Sequence, residues 1–264
     1  MTTNLRASVT GYRHPSCYAN DDSNCSTKIS KEHFLSAALL RRLQQNKKVK
    51  VAGLSWQEPK TFGLFPIGSL GANILCRDHN GALSSLDDSI LRFVDAIHAI
   101  DQEPHSRREC FSGADIERWM LKYLVGLTCS GNTRGILEPY WIDILFGRSE
   151  WREGSGLYFA VDGAGPSYHT DSFLVETIKC ADGIVRGARF FLQGLPFNLI
   201  LGKPGTPDAF GVWRPRGMIF KRPESESRVE FKWASACGET AVILDRIGTY
   251  NGPPPVWHEW ERNG

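Results

Sequence analysis

Several features that would settle a protein's class at once are missing from this sequence. No apolar run approaches the roughly 20 residues needed to cross a bilayer, and the segment Met1 to Tyr12 carries no hydrophobic core of the signal-peptide kind. The expectation is a soluble, cytoplasmic protein. Internal repeats and low-complexity tracts are absent, which removes solenoids and biased linkers. Net charge is only +2, from 31 Lys and Arg against 29 Asp and Glu, so bulk electrostatics alone does not demand a nucleic-acid partner. The seven cysteines are an odd number at uneven gaps, a poor disulfide framework for a chain without an export signal. Metal ligation or buried thiols are the better readings. Two enzyme motifs are approached without being met. Leu201 to Pro207 has Gly, Lys and Thr without the spacing or following helix of a P-loop, and Gly163 to His169 brings Ser167 near His169 without the G-x-S-x-G arrangement. Both read as turns or hairpin loops.

What is present is ordinary globular composition. The 264 residues are 41% hydrophobic, 11% aromatic and 23% charged, enough for one large domain or two smaller ones. Two are expected, over 1–108 and 109–264. Charge is unevenly spread. The first 60 residues hold ten Lys or Arg against four Asp or Glu, a local +6 that leaves −4 on the remainder. The front of the chain is therefore the basic part.

Periodicity organises the rest. Phe34, Leu35, Ala38, Leu39 and Leu43 recur at helical spacing, which predicts a short amphipathic helix over about 34–44, with Ser30 as a cap or turn residue before it. Residues 49–75 mix short β-like runs with Gly and Pro. A longer helix is expected from about Leu83 to His98, with Leu83, Leu86, Ile90, Phe93, Val94 and Ile97 as its apolar stripe. Ser84 or Ser85 with Asp87 and Asp88 would supply cap and acid at its start. Residues 101–110 are polar and periodless and read as a linker. Behind a Ser112 or Asp115 cap, Ile116, Trp119, Met120, Tyr123, Leu124 and Leu127 share one helical face. Strand-like runs follow over 157–161, 173–178, 185–192, 197–201, 217–220 and 229–233, separated by turn formers. The expected class is α+β, the second part having a mainly antiparallel sheet. Trp213, Trp233, Trp257 and Trp260 crowd the last quarter and read chiefly as core aromatics, with the tail from Pro253 as a possible docking strand. Cys110, Cys129, Cys180 and Cys237 have no partner spacing and read as buried or idle thiols.

The informative residues are Cys17, Cys25, Cys76 and His79. Zinc needs four soft or borderline donors around a tetrahedron, and these lie in two local pairs. Cys76-Arg-Asp-His79 is a tight C-x-x-H knuckle ahead of the Leu83 helix; the seven residues between Cys17 and Cys25 make a long first knuckle. On spacing alone, two buried thiols and an unrelated surface pair remain the alternative.

Between the knuckles lies Ile29-Ser-Lys-Glu-His-Phe-Leu-Ser36, and Asn80 follows the second. Two cysteines, an acid-His pair before a small apolar turn, then Leu-Cys-x-x-His-Asn opening a helix resembles the HNH endonuclease family, with its ββα-metal finger in a zinc-knuckle frame. The resemblance covers about residues 12–100. It implies structural zinc on Cys17, Cys25, Cys76 and His79, and a catalytic Mg²⁺ or Mn²⁺ on Glu32 and Asn80. His33 would be the general base for the attacking water, and Asn73 the residue orienting it. It further implies a nucleic-acid partner, DNA first, bound nonspecifically by neighbouring Lys and Arg. A protein partner or second copy would engage through residues 111–264, which resemble no family. Asn80 in place of a final His, His79 in place of a zinc-ligating Cys, and Asp78 beside the knuckle depart from the pattern. The competing reading is a noncatalytic zinc-dependent module that binds nucleic acid or protein.

Overall fold

The computed structural model describes residues 10–44, 47–52, 57, 62–103, 105–133, 138–160, 173–180, 183–202, 207–234 and 240–245. Gly163 to His169, Cys237, the tail from Pro253 with Trp257 and Trp260, and most of the Leu201 to Pro207 turn lie outside them. The class is α+β. In chain order the elements are β1 (Ile29–His33), α1 (Ala37–Leu43), β2 (Lys48–Ala52), β3 (Phe62–Pro66), β4 (Gly71–Cys76), α2 (Arg77–Ala82), α3 (Ser84–Gln102) and β5 (Arg108–Ser112). They continue with α4 (Gly113–Cys129), α5 (Pro139–Leu145), β6 (Gly156–Phe159), β7 (Phe173–Lys179), β8 (Val185–Leu192), β9 (Leu195–Ile200), β10 (Val212–Trp213), β11 (Gly217–Lys221), β12 (Glu226–Lys232) and β13 (Ala241–Asp245).

Four sheets form. β1 and β4 pair antiparallel, and β4 runs straight into α2, giving a ββα unit into which α1, β2 and β3 are inserted. β2 and β3 make a separate antiparallel pair. The five-stranded sheet, in the order β10-β6-β9-β8-β7, is antiparallel throughout. Its β8–β9 turn is two residues long, with Gln193 at φ 52° and Gly194 at φ 76°, the twist a tight hairpin needs. The four-stranded sheet, β13-β11-β12-β5, is antiparallel only at its centre and parallel at both outer pairs.

That last sheet corrects the linker expected over 101–110. α3 continues to Gln102, and Arg108–Ser112 is an edge strand in parallel register with Arg228–Lys232. A lone alternating segment with only Phe111 buried carries too little apolar signal to be recognised as a strand; its partner lies 120 residues away. The buried apolar side chains then form one cluster from Cys17 to Leu244, on both sides of position 108.

At the middle of that cluster is α4. Every expected apolar position on it is buried, and so are Glu117, Leu121, Lys122, Val125 and Gly126, so the helix is enclosed nearly all round. It packs on α3, α5, β4, β8, β9 and β12. Ser112 Oγ accepts from Asp115 N at 3.1 Å, the cap foreseen. Ser112→Ala is expected to cost about 1 kcal/mol, read as a lower urea midpoint at unchanged slope. The other two cap assignments differ. Ser30 lies inside β1 and donates to Leu75 O, while α3 begins behind Leu83 without a side-chain cap and Ser84 Oγ donates back to Gly81 O.

Candidate metal centre

The first knuckle is built by backbone hydrogen bonds. Cys17 N donates to His14 O and Cys25 N to Tyr12 O, both at 3.0 Å, so the 17–25 loop closes on itself. Tyr18 N donates to Ile74 O and Arg77 N to Lys28 O, which pins that loop and the strand β1 beside the β4–α2 junction. The second knuckle follows from the change of element: Cys76 ends β4, and one helical turn carries His79 back over it.

Four donors meet as a result. Cys17, Cys25 and Cys76 Sγ and a His79 ring nitrogen all lie within 4.8 Å of one another, and all four residues are buried. His79 Nδ1 is 3.1 Å from Cys76 Sγ, 3.4 Å from Cys17 Sγ and 3.8 Å from Cys25 Sγ. Donors bound to one zinc at about 2.0–2.3 Å stand roughly 3.5–3.8 Å apart at tetrahedral angles. The cluster can therefore hold a metal ion such as zinc, its donors standing close to that spacing. Burial pushes the Cys17 thiol up to about 12 and raises Cys25 as well. Burial acts the same way on Cys76, but the amides of His79 and Ser26 and the Ser26 hydroxyl outweigh it, and that thiol falls below its ordinary value. Burial also lowers His79, keeping its ring neutral, as ligation requires. Phe146, just past α5, packs edge-on against His79 with centroids 5.3 Å apart, so the C-terminal part of the chain closes one side of the site. Among the remaining cysteines, Cys110 and Cys180 are exposed and Cys129 is half-buried.

The residues assigned to a second metal are arranged differently. Glu32 is buried, and its Oε1 is 2.8 Å from Lys122 Nζ, which α4 delivers from the other half of the sequence. The same ammonium donates to Asp87 Oδ1 and Oδ2 at 2.9 and 2.8 Å. Burial raises the Glu32 carboxyl and Lys122 pulls it back. A carboxylate already neutralised by an ammonium and shut from water does not fit the hard, water-accessible donor that Mg²⁺ or Mn²⁺ takes. Asn80 Nδ2 donates to Ser30 Oγ at 3.0 Å, at the start of β1. His33 pairs with Gly71 at the opposite end of the ladder from Ile29 and Cys76, about 13 Å along the strand at ~3.3 Å per residue. Asn73 is exposed, whereas Glu32 is buried, so the two present to different surroundings. The four zinc-type donors are brought together, while Glu32 and Asn80 each face a partner from the protein itself, Lys122 and Ser30.

No family model, curated protein or solved structure matches the chain.

His33 is half-buried at the end of β1. Burial lowers its ring below the ordinary histidine value, helped by the positive charges of Lys31 and Arg41, so it is neutral at pH 7. Among the described residues of 10–80, Arg13, Lys28, Lys31, Arg41, Arg42, Lys47, Lys48 and Arg77 are exposed, against Asp21 and Asp78 as the exposed acids.

Sequence reasoning missed the two buried ion pairs of α4. Besides Lys122, Glu117 is enclosed and held by Arg214, with Nε to Oε1 and Nη2 to Oε2 both at 3.1 Å, and Leu157 N donates to Oε1 at 2.7 Å. A signal was present: charges inside an apolar stretch from Ile116 to Leu127 must find partners once the helix is covered on all sides. Their partners, 90 and 97 positions away, were not legible. Among the described residues no helix is long and apolar enough to cross a membrane.

Proposed function

We propose that the ββα part of this chain is a zinc-stapled module that binds nucleic acid through its phosphates and does not itself cut it. The observation that carries this reading is the excess of exposed cations over exposed acids in the described part of residues 10–80, with Lys31 and Arg41 close enough to act on the His33 ring. Lys31 also donates to the Gly68 carbonyl, which anchors its ammonium at the strand edge and leaves N–H groups for a ligand. Phosphates gather such cations through counterion release, without any need for base readout. The cysteine and histidine donors supply the staple, and the enclosed Glu32 argues against an open metal-water centre beside it.

The test is fluorescence anisotropy of a labelled DNA duplex with the full-length protein across a salt series. Binding should weaken steeply with salt, with a log–log slope of about −0.9 per phosphate contacted. Lys31→Glu with Arg41→Glu should lower affinity by at least about tenfold and flatten that slope. Binding that ignores both salt and the double charge reversal would overturn the proposal.

A second reading, a metal-dependent HNH-like endonuclease, is favoured by the β1–β4–α2 order and by a neutral His33 at the end of β1, able to accept a proton. Nicking of supercoiled plasmid DNA with Mg²⁺ or Mn²⁺ separates the two. The binding module predicts no nicking that depends on His33; nicking by wild type, lost in His33→Ala at equal zinc content, would establish the endonuclease.

A further inference from the structure

We infer that the Lys122 ammonium occupies the place of a second, divalent cation in this protein, so that zinc is the one metal the ββα part holds. Three acceptor oxygens surround Nζ at 2.8–2.9 Å: Glu32 Oε1 and both oxygens of Asp87. The ammonium donates to both Asp87 oxygens, and Glu32 Oε1 stands beside it as an ion-pair partner. Tyr18 Oη adds a fourth oxygen to the neighbourhood. It is buried without a hydrogen-bond partner, and the charges of Glu32 and Asp87 both act on it. Two carboxylates and a hydroxyl are the hard donors that suit Mg²⁺ or Mn²⁺. What fills them is a side chain from α4, a helix of the common core rather than of the ββα unit.

The substitution has a physical consequence. A divalent ion in such a cluster keeps exchangeable waters, and those waters are its chemical use. Lys122 neutralises the same oxygens, brings no water, and ties β1 and α3 to α4. The resulting cluster is cohesive and chemically inert, which accords with the binding reading above. The inference sharpens that reading but fails separately from it, because one is read by manganese binding and the other by DNA binding.

The experiment is a Mn²⁺ titration of the full-length, zinc-loaded protein, with free Mn²⁺ measured by electron paramagnetic resonance. Wild type and Glu32→Gln should bind equally weakly. Lys122→Met exposes the carboxylates to one another and should gain a site at least about tenfold tighter than wild type, a gain lost when Glu32→Gln is added. A wild-type Mn²⁺ site that disappears in Glu32→Gln would overturn the inference, as would a folded Lys122→Met protein, by circular dichroism and zinc content, without the gain. Should Lys122→Met fail to fold, the comparison of wild type with Glu32→Gln decides alone.

Discussion

Stripping the metal, or replacing Cys76 by Ala, is expected to unfold the N-terminal part of the protein. Three buried sulfurs and a buried imidazole lie within 4.8 Å of one another, and burial, aided by the charges of Cys76 and Cys25, drives the Cys17 thiol to about 12. Without a cation that cluster is a set of enclosed polar groups with poor partners. With zinc it becomes a cross-link between the 17–25 loop and the β4–α2 junction. Apparent binding energies of structural zinc run to about 10–16 kcal/mol, comparable to the whole net stability of an ordinary domain. The measurements are metal content by mass spectrometry, expected at one zinc per chain, and thermal melts with and without a strong chelator. Cys76→Ala should lose the metal and melt far lower, while Cys110→Ala, at an exposed thiol, should do neither. The loss should also travel. Phe146 meets the His79 ring edge-on, and Trp141 of α5 packs against Tyr140 and Trp151, so tryptophan fluorescence should report metal removal from across the core. A chelator that leaves both the melt and the fluorescence unchanged would show that the cluster is merely four buried side chains.

Glu117→Ala is expected to cost about 3–5 kcal/mol, the usual penalty for leaving one half of a buried ion pair uncompensated. Glu117 Oε1 takes both Arg214 Nε and the Leu157 amide, so its removal orphans a charge and a backbone N–H together. Arg214 cannot easily turn away. Its guanidinium lies 5.2 and 5.4 Å from the ring centroids of Trp213 and Trp233, and its backbone has φ 39°, in the left-handed region where a non-glycine residue is held only by its surroundings. Gly156 belongs to the same construction. A Cβ there would stand 2.1 Å from Glu117 Oε1, at φ 107°, so Gly156→Ala should strike the pair from the other side.

Equilibrium denaturation checks the cost; a shift below about 1 kcal/mol would show that Arg214 finds water or another acceptor. The pH dependence follows from the same burial. Desolvation raises the Glu117 carboxyl to about 7, against the pull of Arg214, from an ordinary value of 4.5. The folded state therefore binds more protons than the unfolded state between those values. This contribution to stability is full below about 4.5 and is lost as pH rises through about 7. In Glu117→Gln, where nothing titrates, that slope should vanish.

Legibility differed sharply between the two kinds of site. Cys17, Cys25, Cys76 and His79 could be named from spacing and residue type, because soft donors in short local pairs have few alternative uses. The apolar stripes of α3 and α4 were equally readable, since helical periodicity is a local property: all six stripe residues expected on each helix are buried. β8 was located to the residue, and β6, β7, β9, β11 and β12 to within a few residues. Strands β1, β5, β10 and β13 escaped, as did the short helices α2 and α5. β5 is a polar edge held by parallel pairing to β12, and α2 is a six-residue turn whose helicity depends on Cys76 and Leu83 at its ends.

The sequence by itself determined the four residues of the buried Cys and His cluster, the order of the long helices and the strand-rich C-terminal half, because each is written in residue type or in spacing over a few positions. Tertiary structure alone decided what happens to the charged residues. Glu32 is one residue from His33 and, on local grounds, belongs beside it at an open site; α4 brings Lys122 from 90 positions away and closes that carboxylate in. Glu117 is closed in by the start of β6 and by Arg214, which comes from 97 positions away. A buried charge must be matched by whatever the fold brings within reach, and the identity of that partner is a long-range property that no local pattern contains.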